Sequence, residues 1–220
     1  MKKKCSRIFT IFGAMLLCAA LFLVLYNLYQ DKKSGEISHG ILSELKQVIS
    51  EQTLPGDYES IYTMPSENLY DEYENSQEEV NIPTVFIDGK EYIGYISIPE
   101  LGIELPVTLE WNYENLRIAP CLYRGSAGTG DMIIAAHNYR SHFGNISSLN
   151  AGDNIIFTDA EGKIYYYEVV QSDLVDGYDV DSMLQGAGDS WNLTIFTCTL
   201  NGQSRVSVRA VEIDRDSEPI

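Results

Sequence analysis

Three residues that lie far apart in the chain carry side chains suited to nucleophilic chemistry on an acyl group. Cys198 ends one apolar run, His137 ends another, and Arg205 follows the cysteine by seven residues. A thiol with its usual pKa of about 8.5 is mostly protonated at neutral pH, so a cysteine nucleophile needs a base and nearby positive charge. An imidazole exchanges the proton and a guanidinium stabilises a developing oxyanion. Together the three residue types indicate thiol-mediated acyl transfer.

Each of these residues also has an ordinary structural interpretation. A cysteine such as Cys198 is often an inert small hydrophobe. His137 taken alone fits a hydrogen-bonding surface residue, and Arg205 fits a solvated cation at a strand edge. The chemical interpretation therefore requires a fold that brings the three side chains together.

Short β-strands are the elements that would position these residues. About eight runs rich in β-branched and aromatic residues follow Tyr92, separated by Gly, Pro, Asn and Asp. Helical patterning in this part is limited to a turn near Asn145–Leu149 and another near Asp181–Leu184. Short strands at this spacing predict an antiparallel sandwich or a closed barrel. His137 and Cys198 both fall at predicted strand ends, where a scaffold presents side chains to a cleft.

The N-terminus predicts a single-pass membrane anchor. Lys2, Lys3, Lys4 and Arg7 precede the uncharged apolar segment Ile8–Leu28. A helix of this length spans about 31 Å, enough to cross a hydrocarbon core of roughly 30 Å. The positive-inside rule predicts a cytoplasmic N-terminus and an extracellular remainder at the cell membrane. A cleaved signal peptide is disfavoured, because the apolar run is long and no A-x-A site ends it.

The chain divides into three predicted parts: an anchor at 1–29, a stalk at 30–82 and a catalytic domain at 83–220. Within the stalk, apolar residues at helical spacing in 41–52 predict a short amphipathic helix that packs on the domain. The acidic, Tyr-dotted stretch that follows has few aliphatic residues and predicts a spacer that holds the domain off the membrane.

Charge and cysteine usage exclude several function classes. Fifteen Lys and Arg against 32 Asp and Glu give a net charge of −17, which disfavours nucleic acid as a partner. No CxxC pair and no zinc-like histidine spacing occurs, so no metal is predicted. Cys121 lies in an apolar run and is predicted to be a buried free thiol, since a disulfide to Cys198 would disable the proposed chemistry.

The order His137, Cys198, Arg205 resembles that of the sortases, the membrane-anchored cysteine transpeptidases of Gram-positive bacteria. The segment Thr194–Cys198 (TIFTC) is similar to their TLxTC signature, with Ile in place of Leu. Ile93–Pro99 (IGYISIP) is similar to their GxIxIP strand. The arginine also lies on the next predicted strand, as it does in that family.

The resemblance covers about Tyr92–Ile213 and implies the sortase fold. That fold is mainly β, a closed eight-stranded barrel with short helices, here preceded by a transmembrane helix and stalk. Val175–Leu193 is too short for the long inserted helix of class B sortases, so the subclass is not class B-like and otherwise stays open. No cofactor is predicted; calcium, which some sortases bind, stays open because its carboxylate ligands cannot be assigned.

The resemblance also implies an activity and roles for the site. A C-terminal sorting motif, LPxTG-like, of a surface protein or pilin would be cleaved between Thr and Gly. A thioacyl-enzyme on Cys198 would pass to an amine of a peptidoglycan precursor or a pilin lysine. His137 would be the general acid and base, Arg205 would stabilise substrate and oxyanion, and Thr197 would hydrogen-bond the substrate backbone. Two alternatives stay open: a tethered non-enzymatic β-domain that acts as an adhesin or binding module, and a cysteine protease acting by hydrolysis.

Overall fold

A computed structural model describes residues 2–52, 82–184, 186, 188 and 190–214, with side chains described from residue 10 onward. The α-helices are α1 (Lys2–Gln52), α2 (Tyr113–Leu116) and α3 (Val180–Leu184). The strands are β1 (Val85–Ile87), β2 (Lys90–Ile98), β3 (Ile103–Thr108), β4 (Cys121–Arg124), β5 (Met132–Ala136), β6 (Asn154–Asp159), β7 (Ile164–Asp176), β8 (Leu193–Cys198) and β9 (Ser204–Glu212). Two 3₁₀ helices, Pro99–Leu101 and Ile146–Ser148, complete the elements within these residues.

Eight of the strands form a closed barrel, as predicted. Their order is β2-β3-β4-β5-β8-β9-β7-β6, and β6 pairs back onto β2 through Gly94–Ser97 to close the ring. The short strand β1 lies outside this ring and pairs antiparallel with the beginning of β2. Helical turns at Ile146–Ser148 and Val180–Leu184 confirm the two that the sequence predicts.

The wall that carries the candidate residues consists of β5, β8 and β9. β5 and β8 run parallel, and β8 and β9 run antiparallel. All five residues of β5 are buried, because its inner side chains fill the barrel and its outer ones lie beneath other elements. A strand buried on both faces reads as a continuous apolar run rather than an alternation, which is how MIIAA appears in the sequence.

The first half of α1 exposes apolar side chains over its whole circumference. Large hydrophobic side chains between Ile11 and Tyr29 are 48% to 74% exposed. A monomeric soluble protein rarely exposes so large an apolar surface. By length and composition this helix is able to cross a membrane.

The second half of α1 packs on the barrel. Ile41, Leu45 and Ile49 are buried against a small cluster that includes Val85 of β1 and Tyr92 of β2. An ion pair of 2.6 Å between Lys46 Nζ and Glu104 Oε2 adds a polar contact to β3. The helix predicted within 41–52 is therefore the end of a much longer one. The spacer predicted after it falls largely on 53–81, outside the described residues, and the three-part division of the chain stays a prediction.

Candidate active site

Cys198 is the last residue of β8, and its side chain is exposed. A tight turn follows, in which the Thr199 N–H donates to the Ser204 carbonyl at 2.8 Å. Gly202, with a φ of 69°, supplies the left-handed conformation that this turn requires. The strand end thus presents the sulfur beside the β8–β9 hairpin.

His137 is the residue directly after β5, and in the strand register it is aligned with Cys198. In the parallel register of β5 and β8, Ala136 is the partner of Thr197, so the next residue of each strand is the histidine or the cysteine. Neighbouring strands are about 4.8 Å apart, which brings the two side chains into the same neighbourhood. The Thr197 hydroxyl donates to the Ala136 carbonyl at 2.9 Å and fixes this alignment. The substrate-binding role of Thr197 stays a prediction.

Arg205 is the direct cross-strand partner of Cys198. Opposed residues of an antiparallel pair have their Cα atoms about 4.5–5.5 Å apart and their side chains on one face. The half-buried guanidinium donates to the Gly177 carbonyl in the turn after β7. A guanidinium has five N–H donors, so this contact leaves donors for a substrate.

All three side chains lie on the outer face of the barrel wall. Alternation along β8 directs Leu193 and Ile195 into the barrel core and Phe196 and Cys198 outward. The same alternation places His137 outward beyond Ala135 of β5. The fold therefore brings together the three residues that the sequence singles out, although their catalytic roles stay predictions.

An open cleft and a buried apolar cluster lie near the end of β8. Cys198 lines a cleft of about 750 Å³ whose walls combine polar residues such as Arg140 and Asn201 with the apolar Leu174, Leu200 and Val206. Beneath the outer face lies a cluster of buried apolar residues that we call the outer-face cluster. It contains Leu116, Cys121, Ile133, Ala135, Val175, Met183 and Phe196.

An aromatic row extends the outer-face cluster toward solvent. The Phe196 ring packs edge-on against Tyr123 at 5.4 Å, and Tyr123 packs edge-on against Trp111 at 5.8 Å. Trp111 is 45% exposed. Edge-to-face packing is a favoured geometry for aromatic pairs, and the row ends in the partly exposed indole of Trp111.

Burial lowers the pKa of His137 below its usual value of 6.5, and the positive charge of Arg117 lowers it further. The histidine is therefore neutral at pH 7, with a lone pair free to accept a proton. The sequence does not reveal Arg117 as a neighbour, because it belongs to the turn after α2 and no motif links it to His137.

Cys121 contrasts with Cys198. It is fully buried in β4, and burial raises the pKa of its thiol to about 11. Among the described residues Cys18, Cys121 and Cys198 are free, which confirms the prediction of a buried free thiol at Cys121. No group of three or more His, Cys, Asp or Glu side chains that could hold a metal occurs in the described part of the chain.

Comparison with known proteins identifies the family. A sequence model described as the sortase domain matches residues 96–213, which is 118 of 220 residues. The chain therefore belongs to the sortase family, whose members are cysteine transpeptidases. It is 34% identical over 85 residues to sortase A of Bacillus anthracis, and it spans about two fifths (40%) of that relative's length.

Solved sortase structures share the fold. Sortase A of Corynebacterium diphtheriae, a lid mutant, is 27% identical with a TM-score of 0.51, over 57% of this chain and 72% of that one. Sortase C1 of Streptococcus agalactiae is also 27% identical with a TM-score of 0.51, over 60% of this chain and 72% of the other. Sortase C of Clostridium perfringens, solved with the C-terminal cell wall sorting motif, is 23% identical with a TM-score of 0.51, over 63% and 76%. The last likeness concerns the fold alone.

Proposed function

We propose that this sortase cleaves a C-terminal sorting motif, LPxTG-like, and transfers the protein to an amine. Cys198 is the nucleophile, His137 the general acid and base, and Arg205 the group that holds the substrate carbonyl and oxyanion. The observation that supports the proposal is that these three residues lie next to one another in strand register, on the outer face of β5, β8 and β9. Cys198 and Arg205 belong to neighbouring strands of a closed barrel, and His137 directly follows a third.

Acylation begins with His137 in its neutral form. Neutral His137 accepts the thiol proton while the Cys198 sulfur attacks the carbonyl carbon between Thr and Gly of the motif. Arg205 stabilises the charge that develops on the carbonyl oxygen. The imidazolium then returns its proton to the departing amine of Gly, and a thioester remains on Cys198.

Deacylation reverses these proton transfers. An incoming amine attacks the thioester carbon, His137 takes the amine proton, and the sulfur leaves and is reprotonated. The cleft beside Cys198 has both apolar and polar lining residues, which suit a sorting motif and an acceptor amine of a peptidoglycan precursor or of a pilin lysine.

The apolar half of α1 supports a membrane location. We propose that it spans the cell membrane with the basic N-terminus in the cytoplasm and the barrel outside. The substrates named above are then on the same side as the active site.

The test incubates the full-length protein in detergent micelles with a library of sorting-motif peptides and an amine, and identifies products by mass spectrometry. We expect one motif to be cleaved after Thr and joined to the amine. Cys198→Ala should abolish the reaction, and Cys121→Ala, a matched loss of a thiol that is buried, should retain it. Cleavage that persists in Cys198→Ala would refute the proposal. Hydrolysis that added amines never redirect would instead indicate a protease, and binding without cleavage an adhesin.

A further inference from the structure

The second half of α1 does more than pack on the barrel, because its first turns bind the loop that follows His137. The Asp31 carboxylate accepts hydrogen bonds from the backbone N–H groups of Arg140, at 3.2 Å, and Ser141, at 3.1 Å. It also accepts from the Ser141 hydroxyl at 2.5 Å. One side chain of the helix therefore holds two consecutive residues of that loop.

A second contact lies one helical turn further along. The Ser34 hydroxyl, 4% exposed as a residue, donates to the Arg117 carbonyl at 2.6 Å. Its single hydrogen is thereby used, so it accepts from His142 Nε2, which lies at 3.1 Å. His142 is completely buried. Ser34 thus joins the far end of the histidine loop to the turn after α2.

Gly35 allows α1 to lie this close to Ser141 of the loop that follows His137. A β-carbon at this position would lie 2.9 Å from the Cβ of Ser141, too near for an ordinary contact. Asp31, Ser34 and Ser38 follow the same spacing of three or four residues as Ile41 and Leu45. These polar residues therefore extend the packed face of α1 toward its N-terminal half.

The loop contacts His137 through the ring of Tyr139. The Tyr139 ring lies 5.6 Å from the His142 ring and 4.9 Å from the His137 ring, centroid to centroid. The position of the imidazole is therefore set on one side by its strand and on the other by a ring whose loop is bound to α1.

We propose that Asp31 and Ser34 are positioning residues for the transpeptidation reaction, which hold the 138–142 loop and thereby place His137 against Cys198. The inference rests on the proposed function. Asp31 follows the apolar segment Ile8–Leu28 by three residues, about 5 Å along a helix axis. The apolar segment and the active site are thus joined by the same few residues, and Arg140, whose backbone N–H donates to Asp31, also lines the cleft.

The experiment measures kcat and KM of full-length variants in detergent micelles, with the cleaved peptide and amine of the wild-type assay. Asp31→Ala removes all three hydrogen bonds, and Asp31→Asn retains an oxygen that accepts one or two. Ser34→Ala is a milder variant that keeps the fold testable if Asp31→Ala unfolds. Glu36→Gln is the matched control, because it removes a carboxylate from the same helix that only pairs with exposed Lys32 at 3.7 Å.

We expect kcat to fall about tenfold in Asp31→Ala and about threefold in Ser34→Ala, with KM for the peptide within twofold of wild type. Asp31→Asn should recover part of the loss, and Glu36→Gln should match wild type. Unchanged kcat in Asp31→Ala and Ser34→Ala, or an equal loss in Glu36→Gln, would overturn the inference while leaving the proposed function intact. An inactive wild type would instead count against the proposed function.

Discussion

At the scale of single residues, the two arginines of β9 have different tasks although both project from the outer face. Arg205 lies opposite Cys198, whereas Arg209 lies opposite Thr194, four residues further from the site. Arg209 is held by several contacts: it donates to Asp173 at 2.8 Å and to the Ser182 carbonyl at 2.7 Å, and it stacks on Trp191 at 4.3 Å. It fastens the β7–β8 connection rather than facing a substrate.

Substitution of each arginine should separate these tasks. We expect Arg205→Ala to lower kcat about 100-fold or more, because an oxyanion donor is lost, with little change in stability. Arg209→Ala should destabilise the fold by about 1–3 kcal/mol, because a buried guanidinium is lost and its half-buried partners Asp173 and Ser182 lose their donor. Steady-state kinetics and urea unfolding of both variants make the comparison. Equal effects of the two substitutions on kcat would contradict the assignment.

The buried His142 should make the free energy of unfolding depend on pH. Burial and, next, the nearby charge of His137 lower its pKa to about 4, against the opposing effect of the Asp31 carboxylate. The unfolded chain, in which a histidine has its usual pKa of about 6.5, therefore binds the proton first. Stability from this group falls as pH drops from about 6.5 to 4, by up to about 3 kcal/mol, and is constant below that range.

Urea unfolding of wild type and His142→Gln across this pH range tests the prediction. The difference in unfolding free energy between the two proteins should shrink as pH falls, because the variant lacks the proton uptake. His39→Gln, a substitution of an exposed histidine on α1, is the control. A difference that does not vary with pH would show that His142 is not held neutral by the fold.

At the scale of elements, closure of the barrel depends on one glycine. Gly94 has a φ of 140°, and a β-carbon there would lie 2.0 Å from the Thr158 carbonyl oxygen of β6. Gly94→Ala should therefore separate β2 from β6 and lower the unfolding free energy by more than about 2 kcal/mol. Gly40→Ala, on the exposed side of α1 with no atom within 4 Å of the added carbon, should stabilise by up to about 1 kcal/mol. Thermal unfolding of both variants is the measurement, and a stable Gly94→Ala barrel would refute the closure argument.

The sequence predicts the elements well where apolar residues carry the signal. Alternation and β-branched content predict the barrel strands, and the apolar spacing of Ile41, Leu45 and Ile49 predicts the packed helix. The same periodicity continues through Asp31 and Ser34, but their polar side chains carry no hydrophobic signal. Their contacts with the histidine loop depend on tertiary structure, so they become evident only when α1 lies against the barrel.

The candidate site residues were predictable because they, too, stand next to apolar runs. His137 and Cys198 end apolar runs, and that feature survives in the sequence alone. Their alignment is a matter of strand register, which no local pattern specifies. Arg117 could not be found at all, because its proximity to His137 arises from packing of the turn after α2.

At the scale of the whole molecule, one helix joins a segment able to cross a membrane to the barrel that carries the candidate site. In intact cells, a membrane-impermeant maleimide should label Cys198, which is exposed, and not the buried Cys121. Cys198→Ala should remove the label, and lysis should not be required. Labelling that appears only after lysis would place the barrel on the cytoplasmic side and contradict the proposed topology.

The most direct measurement is the mass of the acylated enzyme. The full-length protein, mixed with its sorting-motif peptide in the absence of an amine and quenched in acid, should gain the mass of the peptide segment ending in Thr. Fragmentation should locate this mass on Cys198, and hydroxylamine should release it as expected for a thioester. Cleaved peptide without an adduct in the wild type, or an adduct on Cys121, would contradict the central role of Cys198.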